Sequence, residues 1–316
     1  MEFCIFVEPQ LGMTWDQLLA AARATERLGF DGFFRSDHYT QPDRAFMGDP
    51  VLSDAWTTLA GLAVSTERVR LGTLVTPATF RHPGALAVQV AGVDAMSGGR
   101  VELGLGTGWN APEHEAYGIP FPQKRFGLLE ESLSIVTGLW STPADETFSF
   151  EGKHYQLDRA PGGQRPTGDG IPIIIGGGGP SRTPALAARY AREFNTGFVP
   201  NAVVAERYRR AVEATRASGR DPQTLRLSVA LTATVGATTE DAERLARSQG
   251  QDPAAERVNG LFGSPGDIAE RLVGLRELGT DRVYLQVLDV RDLEQFELLA
   301  ESVRLARIGD ARIGDA

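Results

Sequence analysis

One pattern repeats along this chain: a short, nearly continuous apolar run, then a segment of helical length. The runs fall at residues 2–8, 32–36, 69–75, 101–106, 172–175, 194–198, 225–233 and 282–288. Apolarity that is continuous rather than alternating marks strands covered on both faces, the condition of a parallel sheet wrapped by helices. Helix starts are written between the runs. Thr14 and Gln17 have capping-box spacing, Ser53 precedes a second helix, and Pro83 opens a third that stops at Gly98-Gly99. Ser264-Pro265-Gly266-Asp267 sets a cap before a proline at the first helical position. Further helices are expected near 125–140, 181–192 and 202–218, from Thr239, and at 292–306. Eight such units in 316 residues predict an α/β fold, a (β/α)8 TIM barrel with insertions at its C-terminal face. An open doubly wound sheet is the other arrangement that this alternation permits. One domain is expected over residues 1–308, with a flexible tail at 309–316 where Ala-Arg-Ile-Gly-Asp repeats.

Composition removes several classes of function. The net charge is −9, which opposes a general nucleic-acid surface because phosphate binding needs a positive face. A single cysteine, Cys4, allows neither an intrachain disulfide nor a cysteine-based zinc site. No apolar run approaches the ~18 residues of a membrane helix. Met1-Glu2-Phe3 lacks the positive region of a signal peptide, so a cytoplasmic protein with no membrane partner is expected. Lys124 and Lys153 are the only lysines, and both fall in insertions, which disfavours Schiff-base chemistry in the barrel.

A barrel of this kind carries its site at the C-terminal ends of the strands. After strand two comes Asp37-His38, a histidine beside a carboxylate, suited to proton transfer near neutral pH. After strand three, Thr73-Leu74-Val75-Thr76-Pro77 suits the face of a planar ring or simply a buried strand. After strand four, Gly104-Leu105-Gly106-Thr107-Gly108-Trp109-Asn110 lacks dinucleotide-fingerprint spacing but lets backbone lie against a ligand. After strand five, Gly176, Gly177, Gly178 and Gly179 run into a helix start, with Arg182 close by, as an anion site would. The four histidines lack H-x-x-x-H spacing, so no metal is expected. Glu113-His114-Glu115 reads as solvated surface. Insertions at about 109–124, 141–170 (with a hairpin-like segment from Thr147 to Leu157) and 249–263 are expected to shape the substrate pocket.

Taken as an ordered set, these pieces resemble the luciferase-like monooxygenase superfamily, in particular its coenzyme F420-dependent oxidoreductases. The set comprises Leu28-Gly29-Phe30-Asp31-Gly32, Ser36-Asp37-His38, Leu71-Gly72-Thr73 through Pro77, Phe80-Arg81-His82-Pro83, Ser97-Gly98-Gly99-Arg100, Gly104 to Gly108 and the Gly176 to Gly179 run. The resemblance implies a barrel holding a flavin-type ring at its C-terminal mouth. It puts catalytic His38 and Asp37 beside the reactive face. It backs the ring with a strand-three bulge at Thr73, Leu74, Val75 and Thr76, with a cis peptide at Leu74–Val75. Gly106, Thr107, Gly108 and Asn110 would lie along the cofactor, and the glycine run with Arg182 would hold its phosphate. An acidic residue follows Gly-Thr-Gly in the sugar-phosphate dehydrogenase branch; Trp109 stands there in this chain. Trp109, Phe80 and Tyr117 suggest instead a flat or apolar small-molecule substrate. The cofactor implied is F420, with FMN as in the monooxygenases as the alternative. A non-catalytic flavin-binding protein is the reading from another class. The family habit is a homodimer.

Overall fold

Eight parallel strands close on themselves in the computed structural model, which describes residues 1–40, 53–163 and 166–313. They are β1 (Glu2–Val7), β2 (Gly32–Arg35), β3 (Arg70–Thr73), β4 (Val101–Gly106), β5 (Ile173–Gly176), β6 (Glu193–Gly197), β7 (Arg226–Val235) and β8 (Arg282–Val287). Each pairs with the next in order, and β8 returns to β1 with Glu2 opposite Arg282 and Val7 opposite Val287. Because β6 pairs with β7, no edge remains, and the open doubly wound sheet is excluded. The longer helices packed on the barrel are α1 (Trp15–Arg27), α2 (Ala55–Ser65), α3 (Pro83–Ser97), α4 (Phe126–Ser141), α5 (Arg182–Tyr190), α6 (Asn201–Ala217), α7 (Pro265–Glu277) and α8 (Glu294–Ile313), and the helix expected from Thr239 runs over Thr239–Ser248. The expected tail therefore begins inside α8, and its last three residues lie outside the described ones.

The local signals explain most element ends. Thr14 and Gln17 form the capping box of α1, and Ser264 with Asp267 forms that of α7. The cap of α2 is Asp54 rather than Ser53, whose hydroxyl instead accepts from Arg35. Strand three stops at Thr73; Leu74 and Val75 leave the ladder before pairing resumes at Thr76–Pro77 against β4. Three further pieces occupy insertions: a hairpin (Thr147–Glu151 with Gln156–Pro161), the helix Pro253–Asn259, and a strand Leu261–Gly263 beside the end of β7. Among the described residues no helix is long and apolar enough to cross a membrane.

Both faces of the barrel wall are buried, as the continuous apolar runs require. Phe3, Ile5 and Val7 pack outward with the helices, while Cys4 and Phe6 point inward with Phe34, Leu74, Ile174, Ala230 and Tyr284. Below this inner apolar layer the barrel is closed by charge. Arg282, fully buried, donates to Glu102 at 2.5 Å and to Glu193 at 2.9 Å, and Tyr284 donates to Glu193 at 2.6 Å. Burial opposes ionisation of Glu102, but Arg282, Arg70 and Arg226 outweigh it and hold the carboxyl below its ordinary value. Removing one member of such a buried cluster strands the others. Arg282→Met should therefore cost roughly 3–5 kcal/mol of unfolding free energy in chemical denaturation. A loss below about 1 kcal/mol, the range of an exposed ion pair, would refute the closing role assigned to Arg282.

Candidate active site

A cavity of about 510 Å³ opens at the C-terminal ends of the strands, within the ~300–1,000 Å³ usual for cofactor and small-molecule sites. It exists because inward positions lose their side chains toward the mouth. Gly106, Gly176 and Gly197 line it, one strand position or more above the inner apolar layer. Gly104 serves the same end from below. A methyl there would collide with the Thr73 carbonyl and lie 2.8 Å from Val75 Cγ1. The Leu74–Val75 peptide is cis, and both side chains face the cavity as an apolar wall.

His38 lines the cavity from the end of β2, its side chain 14% exposed. Its Nδ1 lies 2.9 Å from Glu113 Oε2, and among the described residues its Nε2 has no hydrogen-bond partner. Burial disfavours the imidazolium, yet the Glu113 bond and charge, with Glu8 and Asp37 adding to them, raise the pKa above the ordinary 6.5. Glu113 is fully buried on the short helix Ala111–Ala116, and its Oε1 accepts from the backbone N–H groups of Tyr39 (2.5 Å) and Thr40 (2.8 Å). The reading of 113–115 as solvated surface thus fails for Glu113 and for His114. His114 is buried, bonded to Thr79 and Asn110, and packed against Phe80 and Phe121.

Asp37 does not face the cavity. It is buried behind His38, where Arg81 reaches it at 2.5 and 3.2 Å and the Thr76 hydroxyl donates to it at 2.7 Å. The Thr76 hydroxyl also lies 3.1 Å from that of Thr73, so Asp37 fastens the two ends of the bulge rather than touching a ligand. Leu74, Val75, Gly106, Thr107 and Gly108 line the cavity; Thr73 and Thr76 are buried beneath it. Asn110 is buried too, capping the short helix and donating to the Thr40 carbonyl.

Gly176, Gly177 and Gly178 line the cavity as well, and Gly179 and Arg182 do not. Arg182 is exposed, its guanidinium 4.6 Å from the Phe126 ring centroid. The guanidinium at the cradle belongs to Arg207 of α6, which sequence reasoning passed over. It donates to Thr196 at 2.7 Å, and a methyl on Gly178 would sit 2.5 Å from its Cζ. Among the described residues no carboxylate pairs with it. Of the expected substrate contacts, Trp109 is on the rim, 58% exposed, edge-on to His38 at 5.4 Å. Phe80 and Tyr117 instead pack on Tyr39, outside the cavity lining. Phe198, exposed with a left-handed φ of 56°, is a further rim ring that no motif announced. The polar floor was equally silent in sequence. Glu8 accepts from Gln10 (2.6 Å) and Gln286 (2.5 Å), and Ser36 donates to Gln10 (2.7 Å). Among the described residues of the three insertions, only Trp109 of the first lines the cavity.

A sequence model of the family described as luciferase-like monooxygenase matches residues 1–260. An F420-dependent glucose-6-phosphate dehydrogenase of Nakamurella multipartita is 40% identical over 183 residues, covering 57% of this chain and 51% of that protein. One of Intrasporangium calvum is 38% identical over 179 residues, covering 55% and 50%. The chain thus spans about half the length of the curated relatives it matches. Among solved structures, an F420-dependent secondary alcohol dehydrogenase in complex with an F420-acetone adduct superposes with a TM-score of 0.83 at 20% identity, over 96% of this chain and 98% of that one. A riboflavin lyase with modified FMN and riboflavin gives 0.81 at 16%, over 98% and 92%. Both likenesses are of fold.

The bulge and its glycines form one packing unit, which a single methyl tests. Gly104→Ala should destabilise the protein by about 1–3 kcal/mol, the usual cost of overpacking, and should displace Val75. A denaturation midpoint equal to the parent's would show that the bulge does not depend on this missing Cβ.

Proposed function

This chain belongs to the luciferase-like monooxygenase family, and from that membership we propose that it is an F420-dependent oxidoreductase moving a hydride between a deazaflavin and a small organic substrate. One observation carries the reading. A single cavity joins an apolar bulge and a histidine whose Nε2 has no partner among the described residues to a glycine cradle with a guanidinium that no carboxylate among them pairs. A tricyclic ring with a phosphate-bearing side chain needs those two ends. The residues present fit such a group: Leu74 and Val75 would back the ring, Gly106, Thr107 and Gly108 would run beside it, and Arg207 with Gly176, Gly177 and Gly178 would hold the phosphate. The bound deazaflavin supplies a carbon that gives or takes a hydride. His38 Nε2 manages the accompanying proton at the substrate. Asp37 holds the bulge in place through Thr76, and Arg81 neutralises it.

We propose a substrate other than a sugar phosphate. Arg207 is the only arginine or lysine among the described lining residues, and the cofactor phosphate would occupy it. Trp109 and Phe198 offer rings at the rim, a surface for flat or apolar molecules. FMN remains the second reading, because the same cradle suits its terminal phosphate. We further propose a homodimer through α2 and α3, which pack side by side and expose Val64, Val88 and Met96.

Fluorescence titration of the cofactor-free protein with F420 and with FMN tests the first proposal, F420 being expected to bind the more tightly. Arg207→Ala should weaken that binding about tenfold or more, the worth of a hydrogen bond to a charged group. His38→Ala should lower turnover about 10²-fold or more while binding stays within a few-fold. Tight FMN binding with none of F420 would transfer the assignment to the flavin enzymes. In light scattering the parent should show twice the chain mass and a Val64→Asp/Val88→Asp variant the single mass; a monomeric parent would sink the dimer.

A further inference from the structure

The reading of the cavity as a hydride-transfer site leaves the direction of transfer open. Three carboxylates stand around His38, and they are not equivalent. Asp37, its chain neighbour, is occupied by Arg81 and Thr76. Glu8, across the floor from β1, accepts from two amide side chains. Glu113, from the short helix after β4, alone contacts the imidazole. The one arginine among the described lining residues, Arg207, is engaged with Thr196 beside the glycine cradle, and Trp109 meets the ring edge-on without charge.

This geometry has two consequences. Nδ1 must carry a proton toward a fixed carboxylate, so the neutral ring has one tautomer and the titrating atom is Nε2. Glu113 itself cannot swing away, because its second oxygen accepts from Tyr39 and Thr40 N–H. We propose that Glu113 is a positioning residue that clamps His38 through Nδ1 and favours a proton on Nε2, so that the site runs by preference in the reductive direction. The inference rests on the functional reading above for its direction, and on this chain's own atoms for the clamp. The raised pKa of His38 agrees with it.

In that direction a hydride bearing two electrons passes from the reduced deazaflavin to an electron-poor substrate carbon. The C–H bond forms there as the π bond to a heteroatom or conjugated carbon breaks. His38 Nε2 gives its proton to the far atom of that π bond. The imidazole is left neutral with Nδ1–H still on Glu113. The proton shed by the oxidised cofactor goes to water, and water reloads Nε2. Oxidation of an alcohol reverses every step and needs Nε2 bare at the start, which the clamp disfavours below the His38 pKa.

Nitrogen-15 NMR of histidine-labelled, cofactor-free protein tests the clamp, with His38→Gln assigning the signal. The expected result is a neutral tautomer protonated at Nδ1 and an Nε2 that titrates above the ordinary histidine value. Glu113→Gln should bring that pKa down by about one unit or more. It should lower reductive kcat about tenfold or more while KM and the F420 dissociation constant stay within a few-fold. A neutral tautomer protonated at Nε2 in the parent protein overturns the proposal even if Glu113→Gln fails to fold. So does a His38 pKa that ignores the substitution. Turnover of reduced F420 with cyclohex-2-enone should fall, and of oxidised F420 with cyclohexanol should rise, through the same pKa. Oxidation outpacing reduction below it overturns the direction. If F420 does not bind while the NMR result holds, the functional reading and the direction fall together and the clamp stands.

Discussion

The site depends on a gradient of side-chain volume inside the barrel. Along β4 the inward positions run Glu102, Gly104, Gly106; along β5, Ile174 and Gly176; along β6, Glu193, Asn195, Gly197. Each series starts with a large group and ends with no side chain. A TIM barrel is ordinarily a packed core rather than a pore. Here the base obeys that rule, filled by Arg282 and its glutamates with an apolar layer above, and the mouth departs from it on the β4–β6 side. The opposite wall keeps its side chains, with Phe6 and Glu8 on β1 and beyond it, and Gln286 on β8. The cavity is therefore a one-sided slot. The bulge of β3 leaves its ladder where Gly104 and Gly106 make room, and Val75 sits against both and against Gly176.

Around that slot the charges are allotted so that, among the described residues, each carboxylate near His38 is engaged while His38 Nε2 has no partner. Asp37 is answered by Arg81, Glu8 by two amides, and Glu113 by His38 and two backbone N–H groups. A buried carboxylate without such partners would be expensive. Satisfying each one differently is also what separates their roles. The guanidinium beside Asp37 makes it a strut, and the imidazole beside Glu113 makes that pair the proposed acid. Neighbouring carboxyl groups acquire distinct functions from distinct surroundings, not from their own chemistry.

How far the sequence spoke follows the range of the interactions involved. The barrel was legible because strand burial and helix caps are local, and the cradle was legible because glycine is a local signature of close backbone approach, whereas the bulge followed only from the family resemblance. Pairings across the fold were not. Asp37 adjoins His38 in the chain, yet successive residues leaving a strand face opposite ways, so adjacency argued for the wrong carboxylate. Glu113 lies 75 residues from His38, on a short helix that reads as polar surface until Asn110 and His114 are seen to bury its inner face. Arg182 was chosen for the cradle by proximity, while Arg207 arrives from the next helix, where its spacing among Glu206, Arg209 and Arg210 resembles any solvated stripe. The hint available was that Arg207 stands one helical step from buried Val204 and Tyr208, on the flank that faces the barrel.

The same allotment ties the mouth and the base of the barrel to pH in opposite senses. His38 has a raised pKa when folded, so its contact with Glu113 contributes fully below the unfolded value near 6.5 and is lost as pH climbs through the folded one. Glu102 has a lowered pKa when folded, so its contact with Arg282 contributes fully above the unfolded value near 4.5 and is lost as pH falls through the folded one. Alkali therefore weakens the hold on the loop that carries His38, Tyr39 and Thr40, since Glu113 holds all three. Acid weakens the plug beneath the apolar layer as Glu102 takes up a proton. Between those limits both clamps are closed, and within that interval the proton on Nε2 is available to chemistry without loosening the strands that frame it.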